Sequence, residues 1–202
     1  ALLYAKQIPE AMEAYKKAVA LASTNVDYRT TYGLLLGMND KVPEAIVELE
    51  KGVATPGYKN TAGFTNLGRG YRNADPPQAD KAVTAYQRAM DLDPKNAQAA
   101  LGLGWALSFA RKYDESIPLF AKAIQLDAKL AGEAHNGTAW AHYFKKDMAK
   151  AKEFAAKAKE EGRNVAGLQK AIDDFEKGIA QAEADAQRQF QQNQRAASQT
   201  EG

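Results

Sequence analysis

The chain has 202 residues, 45% of them hydrophobic and 26% charged, which is the composition of an ordinary folded domain. Its formal net charge of +2 is too small to indicate nucleic acid or an anionic membrane as the partner. The absence of cysteine excludes disulfides, thiolate metal sites and cysteine nucleophiles, and no stretch approaches the roughly eighteen apolar residues that a membrane span requires.

The N-terminal segment begins at Ala1 inside a repeated pattern, with neither an initiator methionine nor a signal sequence. We expect residues 1–25 to be the remnant of a repeat that lacks most of its first helix. The chain is therefore predicted to be a monomeric fragment of a longer protein. We expect a cytoplasmic location. The periplasm is the alternative, because any targeting signal would lie outside the sequence.

One short block recurs along the chain: a small residue, an aromatic or aliphatic residue four positions later, and another small residue three beyond that. At intervals of 34, 37, 34 and 35 residues, its copies begin at Ala11, Ala45, Ala82, Ser116 and, in a weaker form, Ala151. Spacings of four and three place each block on one face of a helix.

A second apolar pattern precedes each complete copy, and turn signals such as "RNADPPQAD" separate the two patterns. Each unit is therefore predicted to be a helix, a short turn and a second helix. Such units bury their apolar faces only by stacking on their neighbours. Four complete units are predicted at about 26–59, 60–96, 97–130 and 131–164, here called units 1 to 4.

The C-terminal part follows a different pattern. Leu168, Ile172, Phe175 and Ile179 recur at helical spacing among polar residues, which predicts a solvated capping helix over 165–190. From Gln191 onward the apolar period ends, and residues 191–202 are predicted to be a disordered polar tail.

The number, order and spacing of the units resemble the tetratricopeptide repeat (TPR) family over about residues 1–164. The nearest copies are "TNLGRGYRNADPPQADKAVTAYQRAMDLDPKN" and "ALGLGWALSFARKYDESIPLFAKAIQLDA". Ala128 and Arg163 depart from the family, which has proline after the second helix. The resemblance implies an all-α, right-handed TPR solenoid whose first helices line a concave groove that holds peptides or partner helices.

The segment from Ala100 to Ala110 alternates large and small residues, as a half-buried strand does. The repeat assigns it instead to the first helix of unit 3. By the resemblance, Gly104 occupies the slot where the two helices of a unit pack closely. The pattern offers no reason for Gly102.

No residue pattern indicates catalysis. His135 and His142 stand seven residues apart and could share a helix face, but no third ligand has suitable spacing for a metal site. The paired glycines Gly102 and Gly104 lie inside a predicted helix rather than in a phosphate-binding loop after a strand. We therefore expect no enzymatic activity, no cofactor and no metal.

The resemblance also implies which side chains face the groove. Those selected as partner-binding are Met38, Arg69, Arg72, Leu101, Trp105, Phe109, Asn136, Trp140, Tyr143 and Phe144. The aromatic side chains would bury apolar groups of the partner, and the arginines would pair with its acidic groups. For Trp105 and Trp140, packing between repeats is the alternative role.

We predict a non-catalytic module that binds a peptide, helix or hydrophobic patch of a partner protein, within a larger scaffold or adaptor protein, and neither nucleic acid nor a membrane. Two alternatives stay open. One is a structural spacer or self-association segment of an assembly, such as a secretion, pilus, motility or polarity complex. The other is a regulatory domain of an enzyme elsewhere in the full-length chain.

Overall fold

The computed structural model of the protein describes residues 2–200, with side chains described for residues 7–193. These residues form α-helices and one 3₁₀ turn, Ala128–Leu130, without a strand. The helices are α1 Leu2–Leu21, α2 Val26–Met38, α3 Val42–Val53, α4 Thr61–Asn73, α5 Ala79–Leu92, α6 Ala97–Phe109, α7 Tyr113–Leu126, α8 Ala131–Phe144, α9 Met148–Glu160 and α10 Ala166–Thr200.

The start of three first helices is fixed by the same device, an asparagine N-cap. The side chains of Asn25, Asn60 and Asn96 accept hydrogen bonds of 2.9–3.0 Å from backbone N–H groups in the first turn of α2, α4 and α6. Such caps satisfy donors that the helix itself leaves free. The local sequence therefore determines where units 1, 2 and 3 begin.

The helices stack as pairs in chain order. The first helices α2, α4, α6 and α8 contact one another, while the second helices contact the first helices on either side. First helices thus lie on the inner, concave side of the array, and second helices lie outside. The all-α TPR solenoid predicted from the sequence is confirmed.

Two buried aromatic rings pack between neighbouring units in the middle of the chain. Tyr86 on α5 is 2% exposed, and its ring lies against Gly68 of its own unit and Gly102 of the next. Phe120 on α7, 0% exposed, lies in the same way against Gly104 and Gly137.

A Cβ atom at Gly104 would stand 2.8 Å from the Phe120 ring, which confirms the close-packing role predicted for this glycine. A Cβ at Gly102 would overlap the Tyr86 ring, so the reason for Gly102 is a residue of the preceding unit.

Both ends of the chain differ from expectation. The sequence predicts the remnant of a first helix within residues 1–25, but α1 runs unbroken from Leu2 to Leu21 and contains Pro9. The residues before Pro9, Lys6-Gln7-Ile8, are helix-compatible, whereas unit 1 has the turn formers Asn39 and Asp40 at this point.

The predicted disorder from Gln191 needs a correction for residues 191–200, which continue α10. Glutamine and alanine favour helix, and no glycine or proline interrupts them before Gly202. Residues 201–202 lie outside the described part. The burial of the capping helix is confined to its first turns, since Leu168 and Ile172 are buried and Ile179 is 45% exposed. Over the described residues, the structure has no helix both long and apolar enough for a bilayer.

Candidate binding surface

The first cavity of the concave surface lies between α2 and α4 and measures about 120 Å³. Its floor comes from α3, and its rim carries one charged and two amide side chains. The lining residues are Gly33, Leu34, Gly37, Met38, Val42, Ala45, Leu49, Asn66, Arg69, Gly70 and Asn73. The cavity therefore has an apolar interior with a polar, cationic edge.

Three of the lining residues are glycines, Gly33, Gly37 and Gly70, and the absence of a side chain at Gly37 on α2 contributes open space to the cavity. Gly37 is the last residue but one of its helix, and the same position in units 2, 3 and 4 holds Arg72, Ser108 and Tyr143. Neither Gly37 nor the cavity was predicted from the sequence. Aligning the ends of the four first helices would have shown the missing side chain.

The second cavity, of about 280 Å³, lies among α4, α6 and α8. Its lining is mostly polar and consists of Thr65, Arg69, Arg72, Tyr86, Gln98, Leu101, Gly102 and Glu133. Arg69 lines both cavities, which makes the two spaces neighbours on one surface.

The two arginines of α4 are the predicted cationic contacts, and both are half-buried. Among residues 7–193, neither Arg69 nor Arg72 has an acidic group within 4.0 Å, whereas Arg29 pairs with Glu48 at 2.5 Å. Arg72 donates a hydrogen bond of 3.3 Å from Nε to the Asn73 side chain.

Both arginines also act on the hydroxyl of Tyr86 in the second cavity. Burial raises the pKa of Tyr86, while the charges of Arg72 and Arg69 lower it. The nearby carboxylate of Glu133 opposes the two arginines by raising this pKa, but among residues 7–193 it lies within 4.0 Å only of Arg163 and pairs with neither Arg69 nor Arg72.

The two tryptophans are half-buried and take part in packing. The Trp105 ring meets the buried Phe120 edge-on at 5.4 Å between centroids. Trp140 stacks on Phe144 at 5.7 Å and meets Tyr143 edge-on at 5.6 Å. Trp105 thus packs against the following helix, α7, while Trp140 also packs against a buried cluster drawn from α8, α9 and α10.

The last residue of every first helix is exposed. In chain order these are Met38, Asn73, Phe109 and Phe144. Phe109 is 52% and Phe144 53% exposed, so both present more than half of a large apolar side chain to solvent. These four residues form a row along the edge of the concave surface where the turns lie, here called the end row.

Other predicted contact residues are placed differently. Leu101 corrects its selection as a partner-binding residue: it lies in the wall of the second cavity, but it is only 3% exposed and belongs to the core, so a partner could reach almost none of it. Tyr143 is half-buried and packs edge-on against Phe175 of α10 at 6.4 Å. Asn136 lies half-buried on α8.

The two histidines pair with different carboxylates, although both rings lie near Phe154 on α9. His135 Nδ1 is 2.9 Å from a Glu161 carboxylate oxygen, and His142 Nδ1 is 3.4 Å from an Asp147 oxygen. In the part of the chain that the structure describes, no three His, Cys, Asp or Glu side chains are grouped so as to hold a metal ion.

His142 is expected to make the fold less stable in mild acid. Its ring is buried and stacks on Phe154, and burial lowers its pKa against the opposing effect of Asp147, with Lys150 and Lys145 lowering it further. The unfolded chain therefore binds the proton more readily, and stability is lost as the pH falls from about 7.5 through the ordinary histidine pKa of about 6.5 and toward the lower pKa of the folded state.

Urea unfolding across this range measures the effect. His142→Leu, which copies Leu107 of unit 3, should flatten the pH dependence. An unchanged slope in that variant would assign the effect to another group.

Comparisons with known proteins agree with this architecture. The tetratricopeptide repeat family model matches residues 78–108 and 104–166. The crystal structure of MamA is similar at a TM-score of 0.66 and 23% identity, covering 79% of this chain and 91% of MamA. The structure of YrrB, described as a TPR protein with an unusual peptide-binding site, has a TM-score of 0.67 and 23% identity over 87% of each chain.

A thermophilic TPR protein of Thermus thermophilus, TTC0263, has a TM-score of 0.63 and 17% identity, covering 86% of this chain and 93% of its own. At these identities the likeness concerns the fold alone. No curated protein matches the sequence.

Proposed function

Because the chain is a tetratricopeptide repeat solenoid, we propose that it is a non-catalytic module that binds a partner protein on its concave surface, within a larger scaffold or adaptor. The observation that carries the proposal is the pair Arg69 and Arg72, which line an open cavity and have no acidic group within 4.0 Å among residues 7–193, since Glu133 of the same cavity lies within that distance of Arg163 alone. Half-buried arginines without a counter-ion are costly to the free protein, and an acidic partner would compensate that cost.

The end row supplies the apolar part of the proposed interface. Phe109 and Phe144 expose large side chains in equivalent positions of units 3 and 4, and aromatic and arginine residues dominate binding hot spots. Trp105 and Trp140 would contribute indirectly, because Trp105 contacts Phe109 and Trp140 contacts Phe144. These contacts would hold the two exposed rings in place. The peptide-binding site named for YrrB is consistent with binding by this fold.

The double variant Arg69→Gln/Arg72→Gln is expected to lose its partner. Each replacement removes a positive charge from the concave surface and leaves the buried core intact, so the variant should fold. A partner captured from a lysate of the source organism by the wild-type chain should bind the variant at least about tenfold more weakly, or not at all.

Arg88→Gln/Arg188→Gln makes a matched control. It removes the same charge from two exposed arginines outside both cavities, on α5 and α10. Circular dichroism verifies the helix content of both variants. Equal binding by the two double variants would contradict a role for the concave arginines.

A further inference from the structure

The first cavity points to the chemistry of the partner, on the premise that the proposed function holds. We infer that it receives one aliphatic side chain, of about leucine or methionine size, from an acidic segment of the partner protein. Arg69, which lines both cavities, would pair with a carboxylate next to that side chain in the segment.

The size and lining of the cavity select the aliphatic class. Val42, Ala45 and Leu49 of α3 form an apolar floor below Leu34 and Met38. A volume of about 120 Å³ is close to the roughly 150 Å³ apolar cavity that accepts a benzene molecule, and a water occupies about 30 Å³. One aliphatic side chain of leucine or methionine size fits this space.

The glycine that opens the cavity is not required by packing. A Cβ at Gly37 would make only an ordinary contact of 3.7 Å with the Cβ of Ala45, so alanine would fit there. At Gly33, by contrast, a Cβ would stand 2.7 Å from Leu49 Cγ and would force a shift. Glycine is also a poorer helix residue than alanine. Gly37 therefore makes α2 less stable than alanine would, although packing does not require glycine there. What the glycine provides is open space in the first cavity.

The positive charge beside the cavity favours an acidic segment as its occupant. Arg69 stands at the rim together with Asn66 and Asn73, and no carboxylate among residues 7–193 pairs with it. An extended chain advances at most about 3.3–3.6 Å per residue, so the aliphatic and the acidic residue would be one to three positions apart.

The test uses labelled synthetic peptides as probes. Each carries one leucine and one aspartate in an alanine and serine background, with zero to two residues between them and in both orders. Fluorescence anisotropy against the wild-type chain should find at least one member that binds about tenfold more tightly than its Leu→Ala and Asp→Asn counterparts.

Two variants separate the two contacts. Gly37→Leu, which fills the cavity, should abolish the preference for leucine over alanine. Arg69→Gln should abolish the preference for aspartate over asparagine and keep the preference for leucine. Gly178→Leu is the matched control, because a Cβ at Gly178 on α10 would meet nothing within 4 Å.

The inference is overturned if no peptide of the set binds selectively, or if Gly37→Leu binds every peptide as the wild type does. Either result would leave the proposed function intact if the natural partner still depends on Arg69 and Arg72. If the partner ignores those arginines as well, the proposed function fails with it.

Discussion

Phe120→Ala is expected to lower the free energy of unfolding by about 3–5 kcal/mol. The Phe120 side chain is 0% exposed, and its ring occupies the space above two glycines, Gly104 on α6 and Gly137 on α8. Because glycines have no side chains that could move into the vacated space, the cavity stays open and its full cost is felt. The ring also supports Trp105, which loses its edge-on contact.

Urea unfolding followed by circular dichroism measures the loss. Phe190→Ala is the matched control, since it removes the same atoms from a side chain that is 62% exposed on α10, and it should change stability by less than about 0.5 kcal/mol. Equal effects of the two variants would mean that Phe120 does not hold units 3 and 4 together.

Gly102→Ala is expected to destabilise the chain by about 1–3 kcal/mol, although alanine is the better helix former by about 1 kcal/mol. The added methyl group would overlap the Tyr86 ring, which is 2% exposed and has no room to withdraw. The exposed glycine Gly178 provides the contrast, because Gly178→Ala meets no obstacle and should be neutral or stabilising.

A double-mutant cycle isolates the cause of the Gly102 effect. In a Tyr86→Leu background the ring atoms that the methyl group would meet are absent, so Gly102→Ala should become nearly neutral. The two substitutions should therefore deviate from additivity by about 1 kcal/mol or more. Strict additivity would show that the helix itself, and not the ring, requires glycine at this position.

The repeat period carried most of the fold, because it reports which residues share a helix face and where turns interrupt them. The packing role of Gly102 was not predicted from the sequence, because the side chain that requires a glycine there, Tyr86, lies sixteen residues away in the preceding unit. A signal was present: Gly137 holds the same position one unit later, 35 residues on. The first cavity was not predicted, because the spacing of apolar residues does not report the absence of a single side chain.

Positions carried over from the TPR family predicted a surface but not the exposure of each residue. Leu101 is buried, since neighbouring helices close over its position on α6. Tyr143 contacts Phe175 of α10, an element outside the repeat, so no comparison of repeats could reveal it. Met38, Phe109 and Phe144 are exposed because they end their helices, where no following turn covers them.

The fit of a ring between two glycines has a consequence for how such an array can lengthen. In a tandem duplication of residues 97–130, Phe120 of the first copy would lie against Gly104 of its own copy and Gly102 of the second copy. The new junction would therefore have both the ring and the two glycines that it packs against. Unit 1 has Leu49 in place of the ring, and unit 4 has Ala155. The middle of the chain is thus the part in which gene duplication can add units without redesigning a junction.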